Sequence, residues 1–346
     1  MIKHLYKIFV VLVLAGLFNI NDAKAQDIHF SQFYASPLTL NPAMTGMMDG
    51  CYRVAVNYKN QWASVPAPYN TVSASFDMPV LQAVLGRDFV GIGGMVFNDN
   101  SGYGSLNNLT AMFSLAYHKS FDRNRMHVLS LGIQGGFVNK GVNFGDLIFE
   151  NQLLTNPDDP ASAPNGENTV PSFSYFDLRA GGMFTSNISE SFALYIGGSY
   201  YHLTEPVETF LNDQENVLAP RLVVHFGTAI RPSDGFSITP NGIYMSQGGA
   251  QEIVAGLTAG LHLNESRSND GTSIYFGGYY RLNDAIIPLA GVEYNGFKFG
   301  LSYDINVSSA TTATNYQGGV EISLGYQGTC FPKPTRSYPP VSCPRF

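Results

Sequence analysis

The sequence predicts an all-β fold, a closed antiparallel barrel of about 14 strands, from three observations. Period-two alternation recurs from residue 52 to residue 326, glycines and aromatics are plentiful (36 Gly, 20 Tyr, 24 Phe), and charged residues are only 13%. Closely approaching strands with aromatic faces call for such a composition. After the first 25 residues no apolar run reaches about 18 residues, which excludes helical membrane spans.

Residues 1–25 read as a cleaved export signal. Lys3 and Lys7 precede an apolar run from Ile8 to Phe18, and Ala23-Lys24-Ala25 fits the small-x-small pattern before a signal-peptidase cut. The run is shorter than the about 20 residues of a spanning anchor. Cleavage would leave Gln26 first and take away three lysines and one aspartate, moving the formal charge from −7 to −9. That acidity argues against a nucleic-acid partner, which would need basic patches.

Residues 26–50 form a separate N-terminal segment. The stretch QDIHFSQFYASPLTLNPAMTG is apolar, yet Pro37 and Pro42 interrupt it too often for a long helix or a central strand. Phe30, Phe33, Tyr34, Leu38, Leu40 and Met44 are therefore expected to pack as a plug in the lumen or its mouth, or against a partner. Asn41-Pro42 would turn the chain, and Gly46 would free it to enter the first strand.

The barrel is expected over 51–328, with strands near 52–60, 69–78, 90–97, 105–118, 127–137, 174–186, 191–203, 219–230, 235–245, 250–263, 272–282, 286–294, 296–304 and 316–326. Tyr52, Val54, Val56 and Tyr58, for example, alternate with Arg53, Ala55, Asn57 and Lys59. An even strand number, segments long enough for tilted membrane strands and alternating short and long connections fit a bacterial outer-membrane barrel with both termini periplasmic. Asn295-Gly296 predicts a two-residue type I′ turn, whereas 138–173 and 204–218 are the longest loops. A soluble β-sandwich is the competing architecture, since alternation there also leaves one apolar face.

If the apolar faces meet lipid, Arg53, Lys59, Arg281, Glu293, Lys298, Asp304 and Glu321 face the lumen from the first and last strands, where charges of both signs should pair. Structural pairing is the expected role, ahead of transport or recognition. Residues 329–346 form a Pro-rich, extended periplasmic tail. Cys330 and Cys343 bracket that tail and are the preferred disulfide, with Cys51–Cys330 the competing pair.

Little in the sequence points to catalysis. The seven histidines lack metal-ligand spacing, the cysteines form no CxxC, and there is no P-loop, GxSxG or HExxH, so neither metal nor cofactor is expected. Ser114 and His118 suggest a barrel hydrolase, but four residues along a strand separate them by roughly 13 Å. Asp99-Asn100-Ser101-Gly102 resembles part of a calcium loop and fits a turn better. Trp62 is expected in an interfacial aromatic belt.

FSQFYASPLTLNPAMTG at 30–46, YKNQW at 58–62, YRLNDAIIPLAGVEY at 280–294, GLSYDIN at 300–306 and GVEISLGY at 319–326 resemble the PorP/SprF family of outer-membrane proteins. The most diagnostic part is Pro37-Leu38 followed by Leu40-Asn41-Pro42-Ala43 and Gly46. The resemblance implies a non-enzymatic component of the type IX secretion system of Bacteroidetes, which serves secretion and, in gliding species, surface adhesins. Its implied partners are periplasmic lipoproteins or a secreted surface protein bearing a C-terminal sorting signal, within outer-membrane lipid. An outer-membrane channel or hydrophobic-solute transporter is the alternative.

Overall fold

The computed structural model describes residues 27–328, apart from 49, 66, 103, 161–169, 211–215, 264–270 and 310. Fourteen strands form one closed antiparallel barrel in sequence order. They are β1 (Tyr52–Gln61), β2 (Tyr69–Val80), β3 (Phe89–Ser101), β4 (Leu106–Ser120), β5 (His127–Gly141), β6 (Ser172–Ser189) and β7 (Phe192–Tyr201). The second half comprises β8 (Arg221–Ser233), β9 (Phe236–Gln247), β10 (Ala250–His262), β11 (Thr272–Arg281), β12 (Ala285–Tyr294), β13 (Phe297–Asn306) and β14 (Gln317–Gly328). The seam is made by β1 and β14, paired from Tyr52↔Gly328 to Gln61↔Gly319.

Burial alternates in the sense opposite to a soluble protein. In β4, Leu109, Phe113, Leu115 and Tyr117 are exposed, while Thr110, Ser114 and His118 are buried. Phe137 and Phe113 are 68% and 62% exposed. Bands of apolar side chains this large are stable against hydrocarbon and not against water, and closure leaves no unpaired strand edge in the lipid. The sandwich reading therefore falls, and the chain is an outer-membrane barrel. No helix among the described residues is long and apolar enough to cross a membrane.

The connections sort less cleanly than expected. The two long ones, 142–171 and 202–220, do share one end of the barrel, here called the loop end. The opposite end, where β1 begins and β14 finishes, carries the short turns at 190–191, 234–235 and 295–296. Asn295 and Gly296 have φ of 49° and 82°, the backbone of a type I′ turn. Yet the loop end also holds the two-residue Gly248-Gly249 turn, and connections 81–88 and 263–271 lie at the other end. Trp62 stands at the loop end of β1 with its ring edge-on to Tyr69, centroids 5.3 Å apart.

The core lies inside the lumen. Residues 30–48 are buried except for the half-buried Ala35 and Thr39. Leu40, Ala43, Met44 and Met47 pack with inward Phe89, Val128, Met183, Tyr201 and Ile243, while Leu38 joins Met95, Phe97, Met112 and Val138.

Candidate functional site

The N-terminal segment descends the lumen from the loop end, and its first residues are held by charge. The Asp27 N–H donates to Gln247 Oε1 (2.8 Å), and its carboxylate binds His202, whose other ring nitrogen faces Asp177 at 3.2 Å. His202 follows β7, outside the strands. Burial pulls its pKa down, but the hydrogen bonds and charges of Asp177 and Asp27 outweigh this and lift it to about 9. Lys59 donates to the His29 carbonyl (3.0 Å), and the His29 ring meets Glu252 at 3.1 Å. The consecutive N–H groups of Ser31 and Gln32 both donate to the Glu321 carboxylate, at 2.7 and 2.8 Å. Ser31 Oγ accepts from Arg281 and donates to Asp304, which itself accepts from Arg281 at 2.7 Å.

Further down, the chain is held by shape. A 3₁₀ turn at Phe33–Ala35, a helical turn at Pro37–Leu40 opened by its proline, and a second 3₁₀ turn at Pro42–Met44 fold it tightly. Asn41 stands between the last two with extended backbone. Its Oδ1 caps the next turn by accepting the Ala43 N–H (2.9 Å), and its Nδ2 lies 3.0–3.2 Å from the Gly182 and Gly198 carbonyls and His225 Nε2. Glycines in the wall make the approach possible. A Cβ at Gly132 would fall 2.3 Å from the Pro42 carbonyl carbon, one at Gly181 would fall 2.1 Å from Asn41 Oδ1, and one at Gly91 would fall on the Thr45 carbonyl. Tyr201 and Ser199 donate to the Leu40 carbonyl, and Gln134 donates to that of Leu38. Gly46 has φ 74°, and its N–H donates to Asp77 (2.7 Å) as the chain turns toward β1.

The structure brings the predicted N-terminal residues together: Phe30, Phe33, Tyr34, Pro37, Leu38, Leu40, Asn41, Pro42 and Gly46 all lie inside the barrel wall. The predicted lumen charges fall into separate groups. Arg281 pairs with Asp304, Lys298 sits opposite Glu293 at 3.5 Å, and Lys59 stands opposite Glu321 in the β1–β14 register while both bind the N-terminal segment. Arg53 pairs instead with Asp77, through two bonds of 2.7 and 3.0 Å, and also donates to the Met44 and Met47 carbonyls. Asp77, Glu252, Asp177 and His202 were not singled out by the sequence. Asp77 was readable as an inward position of β2, but its pairing depends on register.

The strand ends at 52 and 328 share one end of the barrel, and Asp27 lies at the other, because the segment runs the length of the lumen before β1 begins. Cys330 and Cys343 lie outside the described residues, whereas Cys51 is disulfide-bonded. The Cys51 N–H also donates to the carbonyl of Gly328, two positions before Cys330. Ser114 and His118 serve the segment rather than each other: Ser114 Oγ meets Thr45 Oγ1 at 2.6 Å and His118 Nε2 meets the Thr45 carbonyl at 2.8 Å. Asp99 accepts from Thr71, and Gly102 starts the turn that follows.

A family model described as type IX secretion system membrane protein PorP/SprF matches residues 22–326. The chain belongs to this family. This PorP/SprF protein is thus an outer-membrane component of type IX secretion, with the family and fold of a secretion or transport protein rather than an enzyme. No curated protein matches the chain. Among solved structures it is similar to the toluene transporter TbuX of Ralstonia pickettii, at 11% identity over 84% of this chain and 92% of that one, TM-score 0.47. It is also similar to the CymD monoaromatic hydrocarbon channel (12%, 86% and 93%, TM-score 0.46) and to the toluene transporter TodX of Pseudomonas putida (10%, 86% and 93%, TM-score 0.43).

Proposed function

We propose that this PorP/SprF protein is a lumen-filled docking scaffold of the type IX machine. It binds a periplasmic lipoprotein of the machine or a secreted surface protein bearing a C-terminal sorting signal, and in a gliding cell the same docking serves surface adhesins. The termini of β1 and β14 face the periplasm and the long loops face outward, as the placement of short turns in such barrels supports. Family membership supports the secretion role. The observation that carries the scaffold reading over a channel is the anchoring of residues 27–46 to strands on every side of the lumen.

The test has two arms. Proteins co-purifying with the barrel from detergent-solubilised outer membrane should include secretion-machine lipoproteins or a sorted surface protein, and deleting the barrel should block secretion. In planar bilayers the intact chain should stay closed, while removal of residues 27–46 should raise conductance and protease sensitivity. A large, steady pore in the intact protein, together with undisturbed secretion in the deletion strain, would overturn the proposal in favour of a solute channel.

A further inference from the structure

The end of the barrel opposite the long loops carries a cationic corner, although the chain's net charge is −7. Residues 81–88 join β2 to β3, residues 121–126 join β4 to β5, and the two turns are tied together. Buried Arg125 donates to the carbonyls of Gly86 and Arg87 (3.4 and 2.9 Å), and Ser120 Oγ donates to that of Arg87 (3.0 Å). The corner sets Arg87, Lys119, Arg123 and Arg125 against Asp88 and Asp122, and both carboxylates are already taken. Asp88 accepts from Tyr117 (2.7 Å), Lys119 (2.8 Å) and the Ser120 N–H (3.1 Å). Asp122 caps its own turn by accepting the N–H groups of Asn124, Met126 and His127. Arg87 and Arg123 are exposed and have no carboxylate partner among the described residues, and Arg87 stands near enough to Lys119 to repel its charge.

The same two turns expose the apolar side chains of Leu81, Val84, Leu85 and Phe121. Apolar and basic groups presented together suit the boundary between hydrocarbon and headgroups, where the former dip inward and the latter meet phosphate. Next to the corner, the lipid-facing wall has a hollow of about 420 Å³ lined by Val90, Leu115, Tyr117, Leu131, Ile133 and Ala180. Its β6 side is low because Ala180 and Gly182 stand opposite Ile133 and Leu131 in the β5–β6 register. Tyr117 joins the two parts: it lines the hollow, and its hydroxyl reaches Asp88, which also holds Lys119. Uncompensated guanidinium groups call for an anion, and a hollow in hydrocarbon beside them calls for an alkyl chain joined to it. We infer that this corner binds an anionic glycerophospholipid, with its phosphate at Arg87, Lys119 and Arg123 and an acyl chain in the hollow. The inference needs the barrel's place in the membrane and not the docking role proposed above.

Native mass spectrometry of the full chain, released from a neutral detergent holding equal amounts of dioleoyl-phosphatidylglycerol and dioleoyl-phosphatidylcholine, tests this. The anionic lipid should be retained at least about tenfold over the zwitterionic one, because each basic residue at a charged lipid surface adds severalfold in affinity. Arg87→Gln with Arg123→Gln should bring the two lipids to near parity. Should that variant lose the heat-modifiable gel migration of a folded barrel, Arg123→Gln alone should lower the preference severalfold. Ala180→Phe, which fills the hollow, should weaken retention of both lipids severalfold and leave the preference for the anionic one in place. Equal retention in the parent chain, an undiminished preference in a folded arginine variant, displacement of the lipid by soluble glycerol phosphate, or unchanged retention in Ala180→Phe would overturn the inference. Loss of a co-purifying periplasmic protein from the arginine variant, with the lipid preference intact, would assign the corner to a protein partner instead.

Discussion

The two halves of the N-terminal segment are held in the lumen by different physics. From Asp27 to Gln32 the contacts are charged: carboxylates and cations of β1, β10, β11, β13 and β14, with His202 beyond β7, take hold of N–H groups, carbonyls and side chains. From Leu38 to Gly46 they are mostly steric and neutral, with Asn41, Pro42 and Thr45 pressed onto glycines of β3, β5, β6 and β7. The lower half thus depends on the absence of side chains in the wall, which no rearrangement of solvent can replace. The upper half depends on charges that water and protons can compete for.

The largest effect should come from filling the cradle. Gly91→Val and Gly132→Val each place a side chain inside the Thr45 or Pro42 backbone at an overpacking cost of about 1–3 kcal/mol, and because Thr45 is hydrogen-bonded to the Pro42 carbonyl the double variant should exceed either single one without being their sum. The temperature at which the barrel loses its compact gel mobility reports this, and cleavage within 38–46 should appear in the native state. A folded double valine variant with the parent's stability and protection would remove the steric half of the comparison.

Asn41→Leu should come next. It keeps the volume but leaves the Gly182 and Gly198 carbonyls and the Ala43 N–H without their bonds, at a cost of about 2–4 kcal/mol. Glu321→Gln should cost less, about 1–2 kcal/mol, because an amide oxygen still accepts one of the two N–H groups while the charge is lost. Salt separates the two variants: 1 M NaCl should leave the Asn41→Leu difference unchanged and narrow that of Glu321→Gln only slightly, since buried charges are screened less than exposed ones. A strong salt response at Asn41 would contradict the neutral character assigned to that half.

The lower half was the more legible in sequence. Prolines at 37 and 42, the intervening Asn41 and the closing Gly46 announce tight turns by residue type alone. The upper half was not, because Asp27, His29 and Ser31 acquire meaning only when the segment is known to reach the loop end. Strand positions were readable wherever lipid imposes alternation. The reading stopped early at the loop end, where β5 continues to Gly141 and β6 begins at Ser172, since polar Asn139 and Ser172 there carry no apolar signal. Asp77 went unread as Arg53's partner for a related reason: their pairing follows from the β1–β2 register, which the connection at 62–68 sets and alternation does not.

The smallest expected effect lies with pH at the top of the segment. His202 is raised from 6.5 to about 9 by Asp177 and Asp27 against the penalty of burial. A raised histidine contributes its stabilisation in full below pH 6.5 and loses it as pH climbs through about 9. Asp27 to His29 should therefore open to a protease selectively between pH 7 and 9.5, while the Leu38 to Gly46 half stays protected over the same range. His202→Asn removes the titrating ring, so its upper half should be loose at all these pH values with no further change. If the two halves respond alike to pH in the parent chain, the His202 contact does not govern the upper half, and the hold of Glu321 on Ser31 and Gln32 must dominate there instead.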